Sequence, residues 1–106
     1  MANRGYRLSD QAVRDLEGIA TYLGERSVDA ADAVIDELTR TFKTLLGNPE
    51  VGTKLDEVRS DLRVFVPSHP AASYLVFFYG SDDGVLISDV VHAARDWIGM
   101  LKRGER

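Results

Sequence analysis

The chain of 106 residues contains no cysteine. That excludes disulfides, thiolate metal ligands and a cysteine nucleophile. It has two histidines, His69 and His92, too far apart to suggest a metal-ligand spacing. Lysine is scarce, with only Lys43, Lys54 and Lys102, and only the C-terminal stretch could supply the basic patch that neutralising nucleic-acid phosphates requires. Direct nucleic-acid binding is not expected. No glycine-rich phosphate loop is present, since "GTK" at Gly52 has neither a preceding strand nor the glycine spacing. The longest apolar run, "YLVFFY", is six residues, far short of the roughly 18 of a membrane span. The start "MANRGYRL" has no apolar segment of the signal-peptide kind. These absences lead to the expectation of a cytoplasmic protein without metal or cofactor.

What is present suits a globular chain of one domain over residues 1–106. It is 44% hydrophobic and 28% charged, with a net charge of −4. Residues 10–46 hold eight acids and four bases, and residues 47–91 hold seven and three. From His92 onward the balance reverses: Arg95, Lys102, Arg103 and Arg106 stand against Asp96 and Glu105.

Hydrophobic spacing divides the chain into elements. "YRLS" (6–9) alternates as a short strand, and Ser9 can cap a following helix. Ala12, Leu16, Ile19, Ala20 and Leu23 form one helical stripe. Ala31, Val34, Ile35, Leu38, Phe42, Leu45 and Leu46 form a second, with Ser27 or Asp29 as its cap. "GNP" (47–49) ends that helix, with Gly47 expected as a left-handed cap. The two helices make an antiparallel hairpin with an acidic outer face. Residues 50–61 read as a polar connection. "LRVFVP" (62–67), "SYLVFFYG" (73–80) and "VLISDVVH" (85–92) read as strands joined by turns short enough for an antiparallel meander. Ala94, Trp97, Ile98 and Leu101 then give a short amphipathic helix. The expected fold is α+β in the order β-α-α-β-β-β-α, a small antiparallel sheet on a helical hairpin.

"YLVFFY" is apolar on both faces, and "VLISDVV" nearly so, which indicates strands buried on both sides. The hairpin covers one face. Either the other stays partly open as a partner site, or the last helix and the 50–61 connection cover it.

"DVVHAARDW" (89–97) is the candidate site, because it gathers His92, Arg95 and Asp96. His92 could act as an acid or base, with Arg95 offsetting phosphate charge. The plainer alternative is a strand end followed by a helix start, with Asp96 in the first turn at the positive end of the helix dipole. Arg59 and Arg63 could hold an anion or an acidic peptide near His92, or could simply form salt bridges. Trp97 at helical spacing suits core as well as a binding platform. No strong catalytic signature emerges, and no catalytic residue is assigned.

The ordered set "YRLSDQAVRDLEGIATYL", "NPEVG", "DLRVF", "YLVFFY" and "VLISDVVHAARD" resembles the ParE branch of the RelE/ParE superfamily, toxins of bacterial type II toxin-antitoxin modules. The resemblance runs nearly end to end. It implies a small sheet on a helical hairpin, and neutralisation by a ParD-like antitoxin whose disordered C-terminal segment folds onto the toxin. It also implies DNA gyrase as the target, whereas the RelE branch cleaves mRNA on the ribosome. Asp89 stands where related toxins tend to carry arginine. The residues after His92 are Ala93 and Ala94, where RNase members tend to have tyrosine or a similar group. Both departures favour a binding toxin over an mRNA endonuclease, which remains the alternative. On this reading His92, Arg95, Asp96 and Trp97 meet the target. Tyr22, Leu23, Arg63, Val76 and Phe78, on the hairpin and the sheet's open face, hold the antitoxin.

Overall fold

A computed structural model describes residues 5–104. Arg106, one of the C-terminal bases counted above, lies outside them. The elements are β1 (Gly5–Leu8), α1 (Asp10–Gly24), α2 (Val28–Gly47), β2 (Thr53–Lys54), β3 (Arg63–Phe65), β4 (Tyr74–Ser81), β5 (Gly84–His92) and α3 (Trp97–Lys102). They form one five-stranded sheet in the order β1-β5-β4-β3-β2.

The meander from β2 to β5 is antiparallel, as the short turns predict. β1 joins it differently, pairing parallel to β5 from Gly5 opposite Gly84 to Leu8 opposite Ile87. The sheet is therefore mixed. β2 is the second departure, because a polar pair in the 50–61 connection adds a two-residue edge strand beside β3. β4 and β5 lie in the middle of the sheet, and apolar layers on both of its faces explain why neither alternates.

Both helices begin as the sequence suggests. The hydroxyl of Ser9 accepts from the Ala12 amide at 3.0 Å, and that of Ser27 from the Ala30 amide at 3.1 Å. The end of α2 differs from expectation. Gly47 is still helical, and Asn48 terminates the helix with a backbone that is neither helical nor extended, its side-chain amide donating to the Thr44 carbonyl at 3.2 Å. Pro49 then prevents continuation.

Two apolar layers flank the sheet. Between sheet and hairpin lie Ala12, Val34, Leu38, Phe42, Leu45, Val76, Phe78, Val85, Ile87 and Val90. Burying side chains of this size is worth roughly 1.5–3 kcal/mol each. On the opposite face Leu62, Phe77, Val91 and Leu101 form a second layer, closed by Leu55, Val58, Leu75 and Trp97. The last helix and the connection therefore do cover the second face. The open sheet face expected as a partner surface is absent among the described residues. Val76 and Phe78 are wholly buried under the hairpin, so neither can meet a partner. That corrects their assignment to antitoxin binding.

A one-residue bulge in β5 accounts for its unusual pattern. Ile87 pairs with Phe78 and Asp89 with Phe77, leaving Ser88 as the extra residue. The bulge reverses the alternation. Val85 and Ile87 face the hairpin, Asp89 faces the second layer beside Phe77, and Val90 faces the hairpin again.

Candidate functional site

A groove of about 830 Å³ opens between α1 and the paired ends of β4 and β5. Its apolar floor is Ile19, Leu23, Val34, Tyr74 and Val90, and Tyr22 stands on its rim. Arg14 and Arg95 supply its positive charge, His92 lies beside them, and Asp15 is the carboxylate among its lining residues. Helical spacing explains one wall: Asp15, Ile19, Tyr22 and Leu23 share a face of α1. The bulge explains the other, because it places His92 opposite Tyr74 on the hairpin side.

The His92 ring stands edge-on to Tyr74, with centroids 5.3 Å apart. Its Nδ1 accepts from the Ala94 amide at 3.1 Å, which leaves Nε2 as the ring nitrogen available for a further hydrogen bond. Arg95 is exposed and makes no side-chain bond within the described residues, while Arg14 donates to Gln11 at 3.2 Å. Tyr22 is 55% exposed. The Arg26 guanidinium lies 3.8 Å from its ring centroid and also donates to its carbonyl at 2.8 Å.

Burial raises the Tyr74 phenol above its ordinary value of 10.0, with Tyr22 adding to the shift. The folded chain thus holds this proton more tightly than the unfolded chain. The associated stability is present below about pH 10 and is lost as pH rises through the raised value. Tyr74→Phe should therefore flatten the alkaline fall of the urea midpoint between pH 9 and 11, leaving the neutral midpoint little changed. Equal alkaline slopes for the two proteins would contradict this.

The remaining expected residues fall elsewhere. Asp96 caps α3, accepting from the Gly99 amide at 3.1 Å, and pairs with Arg103 at 3.6 Å. It is an N-cap just before a helix that begins at Trp97, not a first-turn residue. Trp97 turns into the second layer, its ring 5.3 Å from Phe77. Arg63 donates to the Glu50 carbonyl at 2.8 Å and Arg59 to the Leu101 carbonyl at 3.5 Å, so the two form no pair beside His92. Asp89 is buried on the far side of the sheet. It does not face the groove and cannot repel a phosphate there. His69 is exposed in its loop. Among the described residues no group of three or more His, Asp or Glu could hold a metal ion, and no helix is long and apolar enough to cross a membrane.

Tyr22 and Leu23 were expected on one surface and His92 and Arg95 on another. They line a single groove instead. Sequence reasoning missed Arg14, Asp15 and Tyr74 as its neighbours. Arg14 and Asp15 border the apolar stripe of α1 and, being charged, read as solvated.

No curated protein matches the sequence. Among solved structures, a chain of the chromosomal ParDE TA system from P. aeruginosa aligns with TM-score 0.69 at 14% identity, covering 87% of this chain and 98% of that one. A mutant of E. coli toxin RelE with two arginines replaced by alanine, in the free state, aligns with TM-score 0.61 at 14% identity, covering 99% of this chain and 98% of that one. These two likenesses concern the fold. The family model described as ParE toxin of type II toxin-antitoxin system, parDE, matches residues 6–97. By that match, which spans most of its length, the chain belongs to the ParE toxin family of type II toxin-antitoxin systems.

Proposed function

We propose that this toxin inhibits growth by binding DNA gyrase, without covalent chemistry of its own, and that a ParD-like antitoxin neutralises it through the groove. The carrying observation is the groove's make-up: an apolar floor and an exposed aromatic rim beside an uncommitted arginine. That composition suits an amphipathic protein segment that folds as it docks. The groups needed for phosphate cleavage are less well provided. Nδ1 of His92 is engaged by the Ala94 amide. The Asp15 carboxylate takes the Val90 amide at 2.8 Å and the Gln11 side chain at 2.9 Å, so it is not poised as a base.

One observation favours the alternative, a ribosome-dependent mRNA endonuclease. With Asp89 turned away, His92 shares its groove with Arg14 and Arg95, a more basic setting than the sequence suggests. Induced expression separates the two readings. Loss of plasmid supercoiling with intact message is expected, with growth restored by co-expression of the neighbouring reading frame. Intact supercoiling with message cleaved during translation would overturn the gyrase reading.

A further inference from the structure

β1 ends at Leu8, opposite Ile87, so the bulge in β5 lies just beyond the reach of its neighbouring strand. Its peptide groups on that side have no strand partner, and a buried peptide group left without a hydrogen bond is destabilising. The start of α1 supplies both missing partners. Ser9 Oγ donates to the Ser88 carbonyl at 2.6 Å, and Asp15 Oδ2 accepts from the Val90 amide at 2.8 Å. Gln11 holds the other Asp15 oxygen at 2.9 Å.

The bulge matters because strand side chains alternate with a period of two. Without the extra residue, the strand beyond Ile87 would present Asp89 to the hairpin layer and His92 to the opposite face. With it, His92 stands beside Tyr74 in the groove.

We propose that Asp15 is a positioning residue for the groove: by taking the Val90 amide it holds the bulge that turns His92, and the Arg95 segment after it, toward a bound partner. Ser9 shares the task but also caps α1, so Asp15 is the cleaner place to test it. The reading of the groove as a binding surface is the premise, and the experiment treats that premise separately.

In the wild-type chain the Val90 amide should exchange as slowly as the ladder amides of β4 and β5, and NMR should show the Tyr74–His92 ring contact. Asp15→Asn keeps an acceptor and should retain both features, with affinity for the purified antitoxin within about threefold. Asp15→Ala should lose the ring contact and bind about tenfold or more weakly while remaining folded by circular dichroism. Rapid exchange at Val90 in the wild type would overturn the proposal. So would Asp15→Ala with an intact ring contact and unchanged affinity. Should the alanine variant fail to fold, a folded Asp15→Asn protein that has lost the contact would overturn it equally. A wild-type chain that ignores the antitoxin would sink the functional reading alone, because the exchange and ring-contact results decide the positioning role without it.

Discussion

Replacing Phe77 with alanine is expected to cost about 3–5 kcal/mol, the range for deleting a buried aromatic ring. Phe77 is fully buried, and around it lie Leu62, Val91, Leu101 and the Trp97 ring. Domains of this size have about 5–15 kcal/mol of stability in total, so the variant should be marginal, with Tm lowered by more than about 10 °C. Trp97 is the only tryptophan, and its emission should shift to the red as α3 loosens from the sheet. Ile98→Ala serves as the control. Ile98 is 45% exposed on the same helix, and its loss should change stability by no more than about 0.5 kcal/mol. Urea denaturation and fluorescence of the three proteins check both expectations. A Phe77→Ala protein as stable as the control, with unshifted emission, would mean that α3 does not seal this face.

That sealing was only half legible in the sequence. The helical hairpin was plain, because two apolar stripes with serine caps satisfy local rules that tertiary contacts then reinforce. The central strands were plain for a similar reason: six consecutive apolar residues in "YLVFFY" require cover on both sides. What covers the second face was not decided by pattern. Leu55 and Val58 are isolated apolar residues in a polar stretch, and only the backbone bonds of that loop, such as Leu55 to Leu62 at 2.8 Å, bring them over the sheet. β2 was hidden too, since Thr53–Lys54 carries no apolar alternation.

The groove was legible in pieces but not as a whole. "DVVHAARDW" gave His92 and Arg95, and the stripe of α1 gave Leu23, yet their meeting depends on one unpaired residue in β5. A bulge at Ser88 adds no glycine or proline to mark it. The signal lies in two polar residues of α1. Ser9 reads as an ordinary cap and Asp15 as a surface acid, but both reach into the sheet where β1 runs out. The same bulge sends Asp89 to the far face. Sequence distance alone would put this carboxylate beside His92, but the bulge sets the two on opposite faces.

The groove's energetics should be concentrated at its rim. Tyr22 is a large aromatic already held in place, with Arg26 stacked on its ring and bonded to its carbonyl. A preordered aromatic loses little entropy when a partner arrives, and such residues commonly contribute 2 kcal/mol or more to an interface. Tyr22→Ala is thus expected to weaken antitoxin binding by about 30-fold or more, with stability nearly unchanged because more than half of the side chain faces solvent. Tyr22→Phe keeps the ring and should stay within about threefold of wild type. Because Tyr22 and Arg95 line the same groove, Arg95→Ala should weaken antitoxin binding as well as toxicity, instead of separating the two. Calorimetric titration of each folded variant with the antitoxin, alongside growth assays, measures both effects. Wild-type affinity in Tyr22→Ala would place the partner elsewhere on the surface. Arg95→Ala that loses toxicity alone would restore two separate surfaces.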